Sequence, residues 1–182
     1  MKKLVKESIN THLPSFDELR DTAPIEIRDI LNKSESTPQS PRWHPESPNA
    51  KVPHNVLAHI KIVYDRAADT GDINMTMAGL FHDLGKVDTT AKNARGDWSA
   101  YGHEDVSAAL VAKHGKWIEQ WGADPVQVYH IVKKHMKVKF IDEMRPSKRE
   151  AFKKEPYFAH AKAFSGYDNM QTLTDEEKNR YK

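Results

Sequence analysis

Apolar residues recur at steps of three and four along the middle of the chain, a spacing that suits helices and not strands. Val56, Ile60, Val63 and Ala67 mark one face, and Ile73, Met77, Leu80, Phe81 and Leu84 mark the next. Gly71 supplies a stop between them, Asp72 a start for the second helix and Gly85 its end. A third helix is expected from about Glu104 to Trp121, bent near Gly115. Asp124 then caps a fourth, with Pro125 in its first turn. A last helix is expected near 156–170, residues 88–101 read as a polar loop, and 174–182 as a short charged tail. Strand-type alternation is nearly absent and no internal repeat is found. The fold class that follows is all-α, one bundle-like domain.

The first third of the chain is organised differently. Residues 15–33 read as a helical arm, with Ser15 as cap, Asp17 and Glu18 in the first turn, and Ile25, Ile27, Ile30 and Leu31 as its apolar face. Pro24 breaks the arm into two pieces. From Ser34 to Pro53, five prolines sit among serines, which no helix can accommodate. This stretch reads as an extended strap bordering a site, with Trp43 and His44 in its middle. The expected division is an arm and start of strap at 1–40, a helical domain at 41–172 and a charged tail at 173–182.

Composition narrows the chemistry. The 182 residues carry 28 Lys and Arg against 26 Asp and Glu, a formal charge of +2, too small to indicate nucleic-acid binding alone. No apolar run approaches the ~20 residues of a membrane helix. The basic opening Met1-Lys2-Lys3 has no apolar stretch behind it, so it does not read as a secretory signal, and a cytoplasmic protein without membrane partners is expected. Cysteine is absent, which removes disulfides, thiolate metal sites and cysteine nucleophiles together. Ten histidines remain as the informative excess.

His59 lies on an apolar helix face between Val56 and Val63, where a buried polar group needs a partner. A metal ion is one such partner, and a hydrogen-bonded core histidine is the plainer alternative. His82 and Asp83 point about 100° apart on a helix yet can converge on one ion beside the helix end, near Leu84-Gly85. A carboxylate at a helix C-terminus opposes the dipole, which favours a functional reason for Asp83. His103, His135 and Asp168 complete the set of candidate groups. Imidazole and carboxylate together suit Mn, Fe, Co, Ni or Zn, with Mg a further choice. His130 lies about 140° around its helix from His135, so the two do not face one ion. His12, His114, His130 and His160 read as structural or surface residues.

Taken together, Phe81-His82-Asp83-Leu84-Gly85-Lys86, His59 before it and Gly102-His103-Glu104 after it resemble the HD-domain metal-dependent phosphohydrolase superfamily. The closer likeness is to the HD domain attached to bacterial tRNA nucleotidyltransferases and to stand-alone relatives. It is carried also by His44-Pro45-Glu46, Ala78 to Lys86 and His135, and covers roughly residues 43–170. No Gly-Ser turn leads to a paired Asp-x-Asp, so nucleotide addition is not implied.

The resemblance implies His59, His82, Asp83 and Asp168 as ligands of a first ion, with His103 and His135 holding a second and Asp83 bridging. His54 competes with His59 as first ligand, because residues 47–58 form a longer link than relatives often have, and Asp142 and Asp175 compete with Asp168. Two ions about 3.5–4 Å apart would hold a hydroxide for in-line attack on phosphorus. Lys86 could neutralise the phosphate or simply favour a helix C-terminus, and His103 has a competing role as general acid. The expected function is therefore hydrolysis of a phosphomonoester or phosphodiester in a nucleotide, a cyclic nucleotide or an RNA end, catalysed by Asp83, Lys86 and His103. A di-iron oxygenase and a non-catalytic nucleotide- or RNA-binding module are the alternatives.

Basic residues cluster from Lys133 to Lys154 and read as a solvated face that also adjoins the site. Trp43, Trp98 and Tyr101 lie outside apolar periodicity, suited either to stacking a base or to covering a core edge.

Overall fold

The computed structural model describes residues 13–40, 42, 44 and 55–180. Its regular elements are helices except for one short hairpin. The arm forms α1 (Phe16–Thr22) and α2 (Ile25–Ser34), split at Pro24. Ser15 and Glu18 exchange side-chain and backbone hydrogen bonds in a capping box that starts α1. Ile27 and Leu31 are buried as their spacing requires, whereas Ile25 stands 69% exposed, because it opens α2 on the side turned from the core. Phe16, Leu19, Ile27 and Leu31 belong to the same apolar cluster as Val56, Ile60 and Val63, so the arm packs on its own domain.

After the strap, α3 (Val56–Ala68) begins on Asn55, whose side chain accepts from Ala58 N–H. Backbone pairing between Pro38 and Asn55, with Val56 N–H donating to the Thr37 carbonyl, ties the two ends of the strap together. α4 (Ile73–Phe81) is capped by Asp72 and is buried at every position from Met75 to Phe81, so it runs through the centre of the core. α4 ends at Phe81, with His82 N–H still donating to the Ala78 carbonyl, short of the expected end near Gly85, and residues 82–85 turn into the one-turn α5 (Lys86–Thr89).

The segment expected as loop contains β1 (Ala91–Lys92) paired antiparallel with β2 (Trp98–Ser99). Two-residue strands are too short to show alternation, so nothing in the sequence marked them. The expected helix from Glu104 to Trp121 is two helices, α6 (His103–Lys113) and α7 (Gly115–Gln120), parted at His114. α8 (Pro125–Lys139) starts on Asp124 as expected and packs against α4 and α6. α9 (Pro146–Lys153) was not anticipated, and α10 (Phe158–Tyr167) lies within the expected last helix and also packs on α8. The charged tail forms α11 (Asp175–Arg180), held to α3 by the Arg66–Glu177 ion pair at 2.9 Å. Among the described residues no helix is long and apolar enough to cross a membrane.

Candidate metal centre

Five helices and the turn after α4 converge on one buried polar cluster. α3 brings His59, the C-terminal end of α4 brings His82 and Asp83, and the first residue of α6 is His103. His135 comes from the middle of α8 and Asp168 from the C-cap of α10. All six residues are at most 3% exposed. Each of the six sequence candidates is therefore in this cluster, and Lys86 is beside it.

Asp83 sits between two pairs of imidazoles. Its Oδ1 lies 3.1 Å from His103 Nε2 and 3.7 Å from His135 Nε2. Its Oδ2 lies 3.3 Å from His59 Nε2 and 3.4 Å from His82 Nε2. Asp168 Oδ1 faces the second pair, 2.9 Å from His59 and 3.6 Å from His82. The potential ligand atoms thus form two trios, His59–His82–Asp168 and Asp83–His103–His135.

Backbone contacts fix how three of the rings are protonated. The Nδ1–H of His82 donates to the Gly79 carbonyl at 2.9 Å, that of His103 to Ala100 at 2.7 Å, and that of His135 to Val132 at 2.6 Å. In a neutral ring this leaves the lone pair on Nε2. His103 and His135 therefore face each other at 3.3 Å, lone pair to lone pair, with a carboxylate oxygen alongside. Burial pushes His135 down to about 4, so its ring is neutral at pH 7. Acceptors gathered this closely need positive charge among them, and the donor set of imidazole and carboxylate is that of a divalent metal site.

Two lysines attend the carboxylates. Burial raises the Asp83 carboxyl, but the Lys86 ammonium at 2.6 Å and the neighbouring His82 outweigh it and hold the group well below its usual range. Asp168 is likewise raised by burial and brought well below its usual range by Lys139, His59 and His82. Both carboxylates are thus ionised and ready to bind a cation. Lys86 also donates to Gln39 Oε1 at 2.7 Å, while Gln39 Nε2 donates to the Asn55 carbonyl at 3.3 Å.

Gln39 and Lys139 are the participants that sequence reasoning missed. Lys139 stood only as one cation of a charge run, and Gln39 is a strap residue whose partner lies 47 positions away. The competing candidates fall elsewhere. The Asp142 side chain is 96% exposed and Asp175 lies on exposed α11, while His54 is outside the described residues, as is Trp43. His44 places its ring 4.6 Å from that of His59, bringing the strap to the edge of the centre. His114 pairs with Glu26 at 2.7 Å, and His130 accepts from Lys134 at 3.1 Å, away from the cluster. Tyr101 is 84% exposed and so covers no core, while Trp98 lies beneath the Lys92 ammonium.

The HD domain family model matches residues 55–172, from the cap of α3 to the turn after α10. The chain belongs to the HD domain family, within the metal-dependent hydrolase superfamily. Comparison with curated proteins and with solved structures gives no match.

Proposed function

We propose that the protein hydrolyses a phosphomonoester or phosphodiester bond in a nucleotide, a cyclic nucleotide or an RNA end. The observation that carries this reading is the buried convergence of four imidazoles on Asp83 and Asp168, with three rings turned by backbone carbonyls to present Nε2 inward. His59, His82, His103, His135, Asp83 and Asp168 would hold one or two divalent ions, with Asp83 shared between the halves. A divalent ion held by these residues would supply polarisation of a phosphoryl oxygen and a lowered pKa for water, from about 15.7 toward about 7.

The chain's own groups account for the rest. Carbonyls of Gly79, Ala100 and Val132 keep the three rings oriented before substrate arrives. Lys86 lies beside Asp83 and is the cation proposed to meet the charge that builds on the phosphoryl oxygens. His103, buried at the first position of α6, is the group proposed to protonate the leaving oxygen when it is not a ligand. The proposed catalytic unit is 41–172, completed by Gln39, with a cytoplasmic setting in keeping with nucleotide substrates.

A screen of Mn, Co, Ni, Mg and Fe against nucleoside mono-, di- and triphosphates and 2′,3′- and 3′,5′-cyclic nucleotides tests the reading. At least one pair should give turnover, and Asp83→Ala should abolish it while circular dichroism stays helical. Normal turnover by Asp83→Ala would assign the activity to another site or a contaminant.

A further inference from the structure

The corner formed by α8, α9 and α10 carries more charge than the metal centre uses. Between residues 125 and 168 there are ten Lys and Arg against five Asp and Glu, on a chain whose total is only +2. This corner holds a cleft of about 340 Å³, within the size range of small-ligand sites. Arg149, Lys153 and Lys162 line it with three cations against the single carboxylate of Asp142, and Phe158 gives it an aromatic wall.

Those cations are available. Arg149 meets Asp142 only at 3.8 Å, and Asp142 is almost fully exposed. Lys153 is paired at 2.9 Å with Glu150, itself 61% exposed. Such solvent-screened pairs are weak and yield to a phosphate, which guanidinium binds through two parallel hydrogen bonds. Lys162 has no carboxylate partner among the described residues.

Two helices carry residues of both the cleft and the centre. Val138, which lines it, follows His135 by three residues on α8, and Ser165 precedes Asp168 by three on α10. Three residues advance a helix by about 4.5 Å, so on both helices a residue of the cleft lies about one turn from a residue of the centre. We propose that the cleft is a second phosphate-binding subsite, so that preferred substrates place one phosphate at the metal centre and another between Arg149, Lys153 and Lys162. Their chemical class is then a nucleotide with at least two phosphate groups. This deepens the phosphohydrolase reading and rests on it.

The test compares AMP, ADP and the 5′-phosphorylated dinucleotide pApA on the wild type, Arg149→Gln/Lys162→Gln, and Lys148→Gln as a charge control on α9 outside the cleft. The double variant should raise KM about tenfold for ADP, pApA or both, with kcat unchanged, the loss of charge-assisted contacts to one phosphate. AMP should shift by less than about twofold, as should every substrate with Lys148→Gln. An effect on ADP alone identifies a polyphosphate chain, and on pApA alone a nucleic-acid strand. Fluorescence anisotropy of labelled pApA and ADP on EDTA-treated protein reads the subsite without turnover, and the affected ligand should bind about tenfold more weakly to the double variant. Loss of binding without hydrolysis of any substrate would uphold the subsite while refuting the phosphohydrolase reading. If the double variant melts early, Lys162→Gln alone decides, since Lys162 is exposed. Equal losses for AMP and the two-phosphate ligands, equal losses with Lys148→Gln, or unchanged binding would overturn the proposal.

Discussion

An ionised carboxylate that is 1% exposed survives only where positive charge attends it. Asp83 has the Lys86 ammonium on Oδ2, while Oδ1 faces the Nε2 lone pairs of His103 and His135 and calls for a cation. That demand made the residue legible in the sequence: a carboxylate at a helix C-terminus is badly placed unless something there needs it. The histidines were legible for a related reason, since an imidazole on an apolar face calls for a partner. Gln39 had no such mark, because a glutamine in a proline-rich strap breaks no rule of patterning. Its amide nonetheless holds Lys86 against Asp83. Gln39→Leu should therefore lower kcat about tenfold with little change in KM, since one hydrogen bond to a charged group is lost. Gln39→Glu, which keeps the acceptor, should recover part of that rate. Steady-state kinetics on the best substrate from the screen measures both, and a Gln39→Leu enzyme with unchanged kcat would remove Gln39 from the account.

Elements aim these side chains, and at Gly85 two of those elements come close together. A Cβ built there would lie 2.2 Å from the carbonyl oxygen of His103, on the backbone of α6. The turn after α4 and the start of α6 can touch only because residue 85 has no side chain, and that contact helps to set His103 opposite Asp83. Gly85→Ala should destabilise the fold by about 1–3 kcal/mol, as overpacking does, and depress turnover through displacement of His103. Urea unfolding and kinetics report the two effects, and an alanine variant with native stability would contradict the contact. The sequence displayed Gly85 only as a helix stop, because the neighbour it accommodates comes from a distant segment. Helix starts at Asp72 and Asp124 were legible because capping is local chemistry. Two further starts went unread although their signals were present. Pro146 stands in the first turn of α9, and Thr174 with Glu177 forms a capping box for α11.

At the scale of the whole molecule, the arm, the bundle and the tail meet around α3. Leu19 of α1 is fully buried in the same cluster as Ile60 and Leu80, and Tyr64 of α3 donates its hydroxyl to the Pro14 carbonyl. Leu19→Ala should cost about 2–5 kcal/mol and lower a single unfolding transition seen equally by circular dichroism and tryptophan fluorescence. Two separated transitions would mean that the arm is an independent unit. This association was hidden in the sequence, since an amphipathic arm shows its apolar face but not the surface that receives it. The all-α class was evident because period-three-and-four spacing persists through α3, α4 and α8, the helices that bear His59, His82 and His135. The account as a whole stands on those helices bringing their donors to a shared cation. Diffraction from crystals soaked in manganese, collected at the metal's absorption edge, tests that most directly. The account predicts an anomalous peak between Asp83 and the Nε2 atoms of the four imidazoles, within about 2.0–2.3 Å of at least one imidazole and one carboxylate oxygen. An empty centre with manganese bound elsewhere, or with none bound at saturating concentration, would contradict it.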